Sequence, residues 1–144
     1  MTQAYQDALA EVEALHRFIA QWFQGVEANT SENFQESFAR RLDPRFINIQ
    51  LASRVLSRDA LLSAIREGHG TNSAFTIEIR DLTVHREFDG GRLLLVTFTE
   101  VQSGAKKSSP PTNARLSSVL FERVEGAKYL NWLHSHETKT DILQ

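Results

Sequence analysis

The chain has 144 residues, and its 16 Lys and Arg against 18 Asp and Glu give a formal net charge of −2. A balance so close to zero gives no electrostatic support for binding to nucleic acid or to an anionic membrane. The sequence contains no cysteine, which excludes disulfides, thiolate metal sites and cysteine nucleophiles. The length predicts a single domain, residues 1–144, large enough to bury a substantial core.

The N-terminal segment, MTQAYQDALAEVEALHRF, has neither a basic region nor an unbroken apolar core. It therefore does not have the pattern of a signal peptide. No stretch of the sequence approaches the roughly 18 consecutive apolar residues that a membrane span requires. We accordingly expect a cytoplasmic protein.

The first half of the sequence predicts three helices. Apolar residues recur every three or four positions from Tyr5 to Val26, which predicts a helix of about seven turns with one apolar face. The segment Asn29-Thr30-Ser31 is typical of a helix start. That second helix should end at Asp43-Pro44, because the residue before a proline avoids the α region. Ser57 can cap a third helix.

The remaining segments predict strands. Short strands are expected from Arg45 to Gln50 and near Arg54–Leu56, and a change of apolar parity in FTIEIRDLTVHREF predicts a bulge or bend near Arg80-Asp81. Asp89-Gly90-Gly91 is typical of a hairpin turn. The order of elements predicts an α+β fold, in which three N-terminal helices pack on a strongly curved, mostly antiparallel sheet. Such a sheet forms a cone-shaped cavity, which suits a small molecule.

With these elements the sequence resembles the nuclear transport factor 2-like superfamily, also described as cystatin-like or SnoaL-like. The resemblance rests on HRFIAQWFQGV, RRLDPRFINI, VLSRDAL and above all the last hairpin, FERVEGAKYLNWLHSHET. A His-x-His pair is common in the last strands of small uncharacterised members and of the calcium/calmodulin-dependent kinase association domain. The resemblance implies the cone-shaped fold. It leaves function open, since members include isomerases, cyclases, dehydratases, transport adaptors and assembly domains.

The catalytic positions of steroid-isomerase-like members are not retained in this sequence. The resemblance places their helical tyrosine at Phe18 and their catalytic base near Asn48, with Asp43 as an alternative base whose position before Pro44 favours a structural role. Phenylalanine has no hydroxyl to donate, and an amide cannot accept a proton near neutral pH. We therefore do not expect steroid-isomerase chemistry.

Two histidines in the last predicted strand, His134 and His136, are spaced so that both imidazoles point to the same face. They can hold a metal together with His85 or Glu87, or one of them can act as a general base in the cavity. Alternatively, both lie on the outer face of the sheet. Strict alternation groups them with Trp132 in a stripe that is typical of an amphipathic dimer interface. Alternation alone does not decide which face of the strand lines the cavity. We favour the last interpretation because the resemblance implies that the histidines lie on the convex face, with no metal and a homodimer formed through that face.

The resemblance implies that Glu137, which follows the His-x-His pair, lines the cavity with Ser135 and Leu133 below it. Glu137 stands where the kinase domain has arginine, so an anion preference at that position does not carry over. His16 is expected on the flank of the first helix. The other candidate pocket residues are Trp22, Phe46, Asn48, Thr97 and Ser118.

Three functions from different classes remain open at this stage. The first is a homodimeric small-molecule-binding domain with an apolar cone-shaped pocket and no cofactor. The second is a SnoaL-like lyase, isomerase or hydrolase that acts on a small hydrophobic substrate, with Glu137 or a histidine as acid/base. The third is an assembly module without a ligand.

Overall fold

The computed structural model describes residues 1–127 and 129–142, which form three α-helices and one sheet of six strands. The helices are α1 (Gln3–Gln24), α2 (Ser31–Ser37) and α3 (Arg58–Arg66). The strands are β1 (Leu42–Gln50), β2 (Arg54–Ser57), β3 (Thr76–Phe88), β4 (Leu93–Ser103), β5 (Asn113–Arg123) and β6 (Leu130–Thr140). They lie in the order β2-β1-β6-β5-β4-β3, and only the β1–β6 pair among them is parallel. The predicted α+β class is confirmed.

Each α-helix begins at a hydroxyl side chain that accepts a backbone N–H. Thr30 caps α2 and Ser57 caps α3, as the sequence predicts, and Thr2 caps α1. The predicted end of the second helix is wrong: α2 ends at Ser37, and Asp43-Pro44 lies inside β1. The register of β1 against β6 shifts around Pro44. Such irregular places tolerate a residue that cannot donate a ladder hydrogen bond.

The predicted bend in β3 is confirmed at Asp81. This residue has a φ of 55°, in the left-handed region, and the register against β4 shifts between Arg80 and Thr83. A bulge of this kind bends the strand and increases its twist. The 13-residue strand therefore curves at Asp81, which is where the apolar parity of the sequence changes.

A second bulge, at Leu133, divides β6 into two parts. Leu120 of β5 pairs with His134, whereas the next residue of β5, Phe121, pairs with Trp132. Leu133 is the extra residue, so strict alternation fails along β6. As a result Trp132 and Ser135, which alternation assigns to opposite faces, both lie buried on the inner face.

The core forms where α1 lies across the inner face of the sheet. Val12, Leu15 and Phe18 of α1 are buried there, in one cluster with Phe121 and Trp132 of the last two strands. The opposite face of α1 is polar. No helix among the described residues is long and apolar enough to cross a membrane.

A buried carboxylate, Glu11, joins α1 to the end of the chain. It is 4% exposed and accepts hydrogen bonds at 2.7 Å from Nη1 of Arg41 to both oxygens. It also accepts the indole N–H of Trp132 at 2.8 Å and the backbone N–H of Leu130 at 3.3 Å. Both carboxylate oxygens are thus satisfied, which is the condition under which a buried charge is tolerated.

We predict that Glu11→Gln lowers the free energy of unfolding by about 2–3 kcal/mol. The amide keeps the shape of the side chain, but its NH2 group cannot accept, and the Arg41 guanidinium loses its counter-charge. Urea unfolding followed by circular dichroism measures the change. Glu13→Gln, at an exposed position of the same helix, is the matched control and should stay within about 0.5 kcal/mol of the unaltered chain. Equal losses in the two variants would contradict a special role for Glu11.

Candidate functional site

A cavity of about 770 Å³ lies between α1, α3 and the inner face of the sheet. This volume is within the range of small-molecule sites in proteins. Apolar side chains make up much of the wall, among them Leu15, Ile19, Phe23, Phe46, Phe75 and Phe98. These side chains suit an apolar body, and the polar groups of the wall determine what else can bind.

Four ionisable side chains, His16, Glu100, Arg115 and Glu137, face one another in the wall, and we call them the polar cluster. Arg115 and Glu100 are direct partners in the β4–β5 register, and Glu137 follows on β6 opposite Ser117. His16 comes from α1, across the cavity wall. The cluster thus exists because three adjacent strands and the first helix each contribute one group.

His16 and Glu100 form a buried ion pair. Nδ1 of His16 donates to the carbonyl of Val12 at 2.7 Å, and Nε2 lies 3.1 Å from Oε1 of Glu100. Burial opposes a charged imidazolium, but the Glu100 carboxylate and the Val12 carbonyl outweigh it and raise the pKa of His16.

The carboxylate of the same pair is held ionised. Burial would raise the pKa of Glu100, yet the His16 imidazolium and a hydrogen bond from Nε2 of Gln102, at 2.6 Å, lower it to about 2. Each member of the pair thus stabilises the charged form of the other, the imidazolium of His16 and the carboxylate of Glu100.

Glu137 is the group of the cluster that titrates near neutrality. Burial, reinforced by the negative charge of Glu100, raises the pKa of Glu137 to about 7 against the opposing effects of Arg115 and His16. Oε2 of Glu137 lies 3.5 Å from Nη1 of Arg115, an ion-pair distance. Glu137 therefore changes charge easily around pH 7.

The Glu137–Arg115 pair leaves hydrogen-bonding capacity unused. Nη2 of Arg115 donates to Oδ1 of Asn113 at 3.1 Å and to Oε1 of Gln102 at 3.4 Å. Within residues 1–127 and 129–142, neither Nε of Arg115 nor Oε2 of Glu137 has a hydrogen-bond partner, although both atoms are buried. One donor and one acceptor of this ion pair thus lack hydrogen-bond partners in the described part of the chain.

Four of the residues expected in the pocket line the cavity: Phe46, Asn48, Ser135 and Glu137. Nδ2 of Asn48 donates to Oγ of Ser135 at 2.6 Å, and both side chains are buried. This bond joins β1 to β6 across their parallel pairing. It also occupies the amide of Asn48, the position where the resemblance places a catalytic base in other members.

The other four expected pocket residues lie elsewhere, which corrects their assignment. Trp22 is fully buried in the core, where its indole N–H donates to the carbonyl of Ile65 at 2.9 Å. Thr97 and Ser118 are partners across β4 and β5 on the outer face, so their neighbours in sequence face inward. Leu133 is displaced by the bulge in β6 and is not among the lining residues.

Trp132 is likewise corrected, since it is 3% exposed and lines the cavity instead of lying on the convex face. His134 and His136 do lie on the outer face, half-buried and exposed respectively. Neither of them lines the cavity, so the histidine in the wall is His16. His85 lies 2.7 Å from Thr97 through Nε2 and Oγ1. The described part of the chain contains no group of three or more His, Asp or Glu that could hold a metal ion.

Sequence reasoning missed His16, Glu100 and Arg115, although the sequence contains a signal for two of them. Glu100 has the strand parity of the buried Phe98, and Arg115 has that of the buried Val119. A charged residue on an apolar parity predicts an internal ion pair, because an unpaired charge is too costly to bury. His16 lies next to Leu15 at the border of the apolar face of α1, where the periodicity does not decide between core and flank.

At the level of sequence, no protein-family model and no curated protein matches the chain significantly. Solved structures match its fold. An NTF-2-like protein of unknown function from Pseudomonas aeruginosa is 25% identical, with a TM-score of 0.79 over 95% of this chain and 98% of that one. A candidate dehydratase of the NTF2-like family from Streptomyces avermitilis is 14% identical, with a TM-score of 0.68 over 94% and 95% of the two chains.

A third match is the CaMKII hub of S. rosetta, which is 12% identical with a TM-score of 0.70 over 97% of this chain and 99% of that one. Together these structures confirm the fold that the sequence resemblance implies. Their descriptions differ in function, and the fold alone does not choose among them.

We predict that Glu137 makes the folded protein less stable as pH rises from about 4.5 to about 7. Burial raises the pKa of this carboxyl from an ordinary 4.5, so the folded state binds more protons than the unfolded state in that window. Glu137→Gln removes this dependence. The stability gained by the variant should grow with pH by up to about 1.4 kcal/mol per unit and level off above pH 7.

Urea midpoints of the two proteins at pH 5, 6, 7 and 8 test this prediction. His16, whose raised pKa adds stability below about 6.5 that is lost as pH rises, is present in both proteins, so the comparison reports the titration of Glu137 together with its coupling to His16. A stability difference that stays constant across the series would contradict the buried, titrating state of Glu137.

Proposed function

We propose that this chain, which has the nuclear transport factor 2-like fold, binds a small and largely apolar molecule in its cavity. The observation that carries the proposal is the cavity itself, whose wall combines apolar side chains with two buried atoms that lack hydrogen-bond partners, Nε of Arg115 and Oε2 of Glu137. A buried polar atom without a partner costs about 1–3 kcal/mol. A ligand that supplies the missing partners recovers this free energy while its apolar part leaves water.

An enzymatic function is the second candidate, and the titration of Glu137 favours it. A carboxyl group with a pKa of about 7 is matched to general acid–base catalysis at neutral pH. His16 and Ser135 of the wall are already engaged, since His16 is held by Val12 and Glu100 and Ser135 accepts from Asn48. Binding comes first because it requires only a cavity of suitable size and polarity, whereas catalysis also requires a substrate with a matching reactive group.

We predict that a bulky side chain at Ala64 blocks the cavity. Ala64 of α3 lines it, and Ala60, one turn earlier on the same helix, does not. Ala64→Phe should weaken binding of the neutral dye N-phenyl-1-naphthylamine at least tenfold, whereas Ala60→Phe, the matched control, should change it less than twofold. Fluorescence titration measures both dissociation constants.

Two results would contradict the proposal: no dye binding by the unaltered chain, or equal binding by the two alanine variants. Glu137→Gln then separates the two candidate functions. If the chain is an enzyme, this variant loses any turnover found in a substrate screen while it still binds the dye.

We also propose that the chain forms a homodimer through the outer face of the sheet. Ile47 and Ile49 of β1 are the register partners of His134 and His136, and Leu116 of β5 lies further along the same face with 42% of its surface exposed. Apolar side chains mixed with histidines at a sheet surface suit a contact between two copies. The resemblance to the superfamily, where many members dimerise on this face, supports the same arrangement.

We predict that Leu116→Glu dissociates this dimer, because a buried, unpaired carboxylate would face its symmetry partner. Val26→Glu, at an apolar position that is 69% exposed after α1, is the control and should leave the dimer intact. Sedimentation velocity at micromolar concentration distinguishes one chain from two. A monomeric unaltered chain, or a dimeric Leu116→Glu variant, would exclude this interface.

A further inference from the structure

We infer that the cavity takes an apolar monocarboxylate, which Arg115 binds as an anion while Glu137 carries one proton. The inference rests on the proposed function and adds two things to it, namely the polar group of the ligand and the coupling of binding to protonation. It follows from the charge of the cavity, from the unpartnered atoms of the wall and from the repulsion between neighbouring carboxylates.

The charge of the lining has the opposite sign to that of the whole chain, whose formal net charge is −2. Five cationic side chains, His16 among them, line the cavity against three carboxylates, and the excess is positive whether or not His16 is protonated. The cationic residues are His16, Arg54, Lys106, Lys107 and Arg115, and the carboxylates are Glu67, Glu100 and Glu137. A cleft with an excess of one charge attracts ligands of the other sign. An anion is therefore favoured over a cation.

The cationic side chains at the mouth of the cavity and the one in its interior attract an anion over different distances. Arg54, Lys106 and Lys107 are exposed and remain in water, so they act through long-range steering that salt weakens. Arg115 is 13% exposed in its side chain. Its charge acts at close range, where a hydrogen bond to an anion is strong.

Arg115 presents its free donor in a fixed direction. Gln102 and Asn113 hold Nη2 of the guanidinium, Nη1 lies 3.5 Å from Oε2 of Glu137, and Nε is buried in the wall without a hydrogen-bond partner among the described residues. A carboxylate oxygen can accept this N–H. Carboxylates match the geometry of a guanidinium better than hydroxyls do, since both groups are planar.

A ligand carboxylate bound to Arg115 lies next to Glu137. These two carboxyl groups must share a proton. Two ionised carboxylates at hydrogen-bond distance repel each other strongly enough that one of them stays protonated. The charged groups that face Glu137 are Arg115 on β5, Glu100 on β4 and His16 on α1, and their combined effect with burial already raises its pKa to about 7. Protonated Glu137 then donates its O–H to the ligand carboxylate.

Binding raises the pKa of Glu137 further, so affinity is highest below pH 7 and falls as pH rises above 7, by up to tenfold per unit. Above pH 7 each binding event takes up a proton. Below about pH 6 the free protein already carries that proton, and uptake falls towards zero.

Isothermal titration calorimetry with decanoate, decan-1-ol and decanamide tests the inference. The three probes share an apolar chain and differ in the polar group, and decanamide can satisfy both Arg115 and an ionised Glu137 without a proton. We expect decanoate to bind at least tenfold more tightly than either neutral probe at pH 7. Titrations in buffers of different ionisation enthalpy should give a proton uptake that rises from near zero at pH 6 towards one at pH 8.

Two variants assign these effects to their residues. Glu137→Gln should bind decanoate without proton uptake and with an affinity that no longer falls above pH 7, while Glu13→Gln, an exposed position on α1, should behave as the unaltered chain does. Arg115→Gln should lose the preference for decanoate over decan-1-ol. Circular dichroism establishes that each variant is folded.

The outcomes separate this inference from the function on which it rests. If decan-1-ol or decanamide binds as tightly as decanoate, the cavity is a ligand site but the carboxylate assignment is wrong. If decanoate is preferred without proton uptake at pH 8, Glu137 does not carry the proton and the inference is overturned. If none of the three probes binds, the proposed function fails with it.

Discussion

The insertion of Leu133 into β6 changes which face each part of that strand presents to the helices. Before the bulge, Trp132 faces inward and donates to Glu11; after it, Ser135 and Glu137 face inward and line the cavity. His134 and His136 are left on the outer face. Without the extra residue the two halves of the strand would point in opposite directions, and the core and the cavity could not share one side of the sheet.

The first helix, α1, contributes different side chains to the core and to the cavity on that inner face. Glu11 contributes a carboxylate that is satisfied by four hydrogen bonds, and it lies where the helix meets the start of β6. One and a half turns later His16 enters the cavity wall, and Phe23 lines the cavity near the end of the helix. The close-packed core and the cavity therefore share one rigid helix, α1, which keeps the cavity open beside the core.

The buried carboxylates differ in how many hydrogen-bond and ion-pair partners they have, and these differences indicate the role of each one. Glu11 has partners for both oxygens, and Glu100 has a cation and an amide donor. Glu137 has a cation at 3.5 Å and no hydrogen bond to Oε2 within the described chain. Fully satisfied buried charges are structural, whereas an incompletely satisfied one retains free energy that a ligand can recover.

Local sequence rules predicted the features that depend on neighbouring residues. The caps at Thr30 and Ser57 and the bend at Asp81 follow from side-chain chemistry and parity within a few positions. The site depends on strand register, which a short window does not contain. The prediction assigned Ser118 and Thr97 to the inner face, whereas the neighbouring residues, Ser117 and Phe98, are the ones that line the cavity. The bulge at Leu133 could not be predicted, because an alternating pattern does not mark it.

The four groups of the polar cluster lie at positions 16, 100, 115 and 137, so only the folded topology brings them together. The same separation in sequence governs how the chain reaches its native state. Glu11 finds two of its donors 119 and 121 residues away. During synthesis the apolar face of α1 leaves the ribosome long before the strand that receives it, and it stays uncovered for most of translation. The core around α1 is therefore completed last. A nascent chain that stops before β6 leaves the apolar face of α1 exposed, and such surfaces are bound by chaperones.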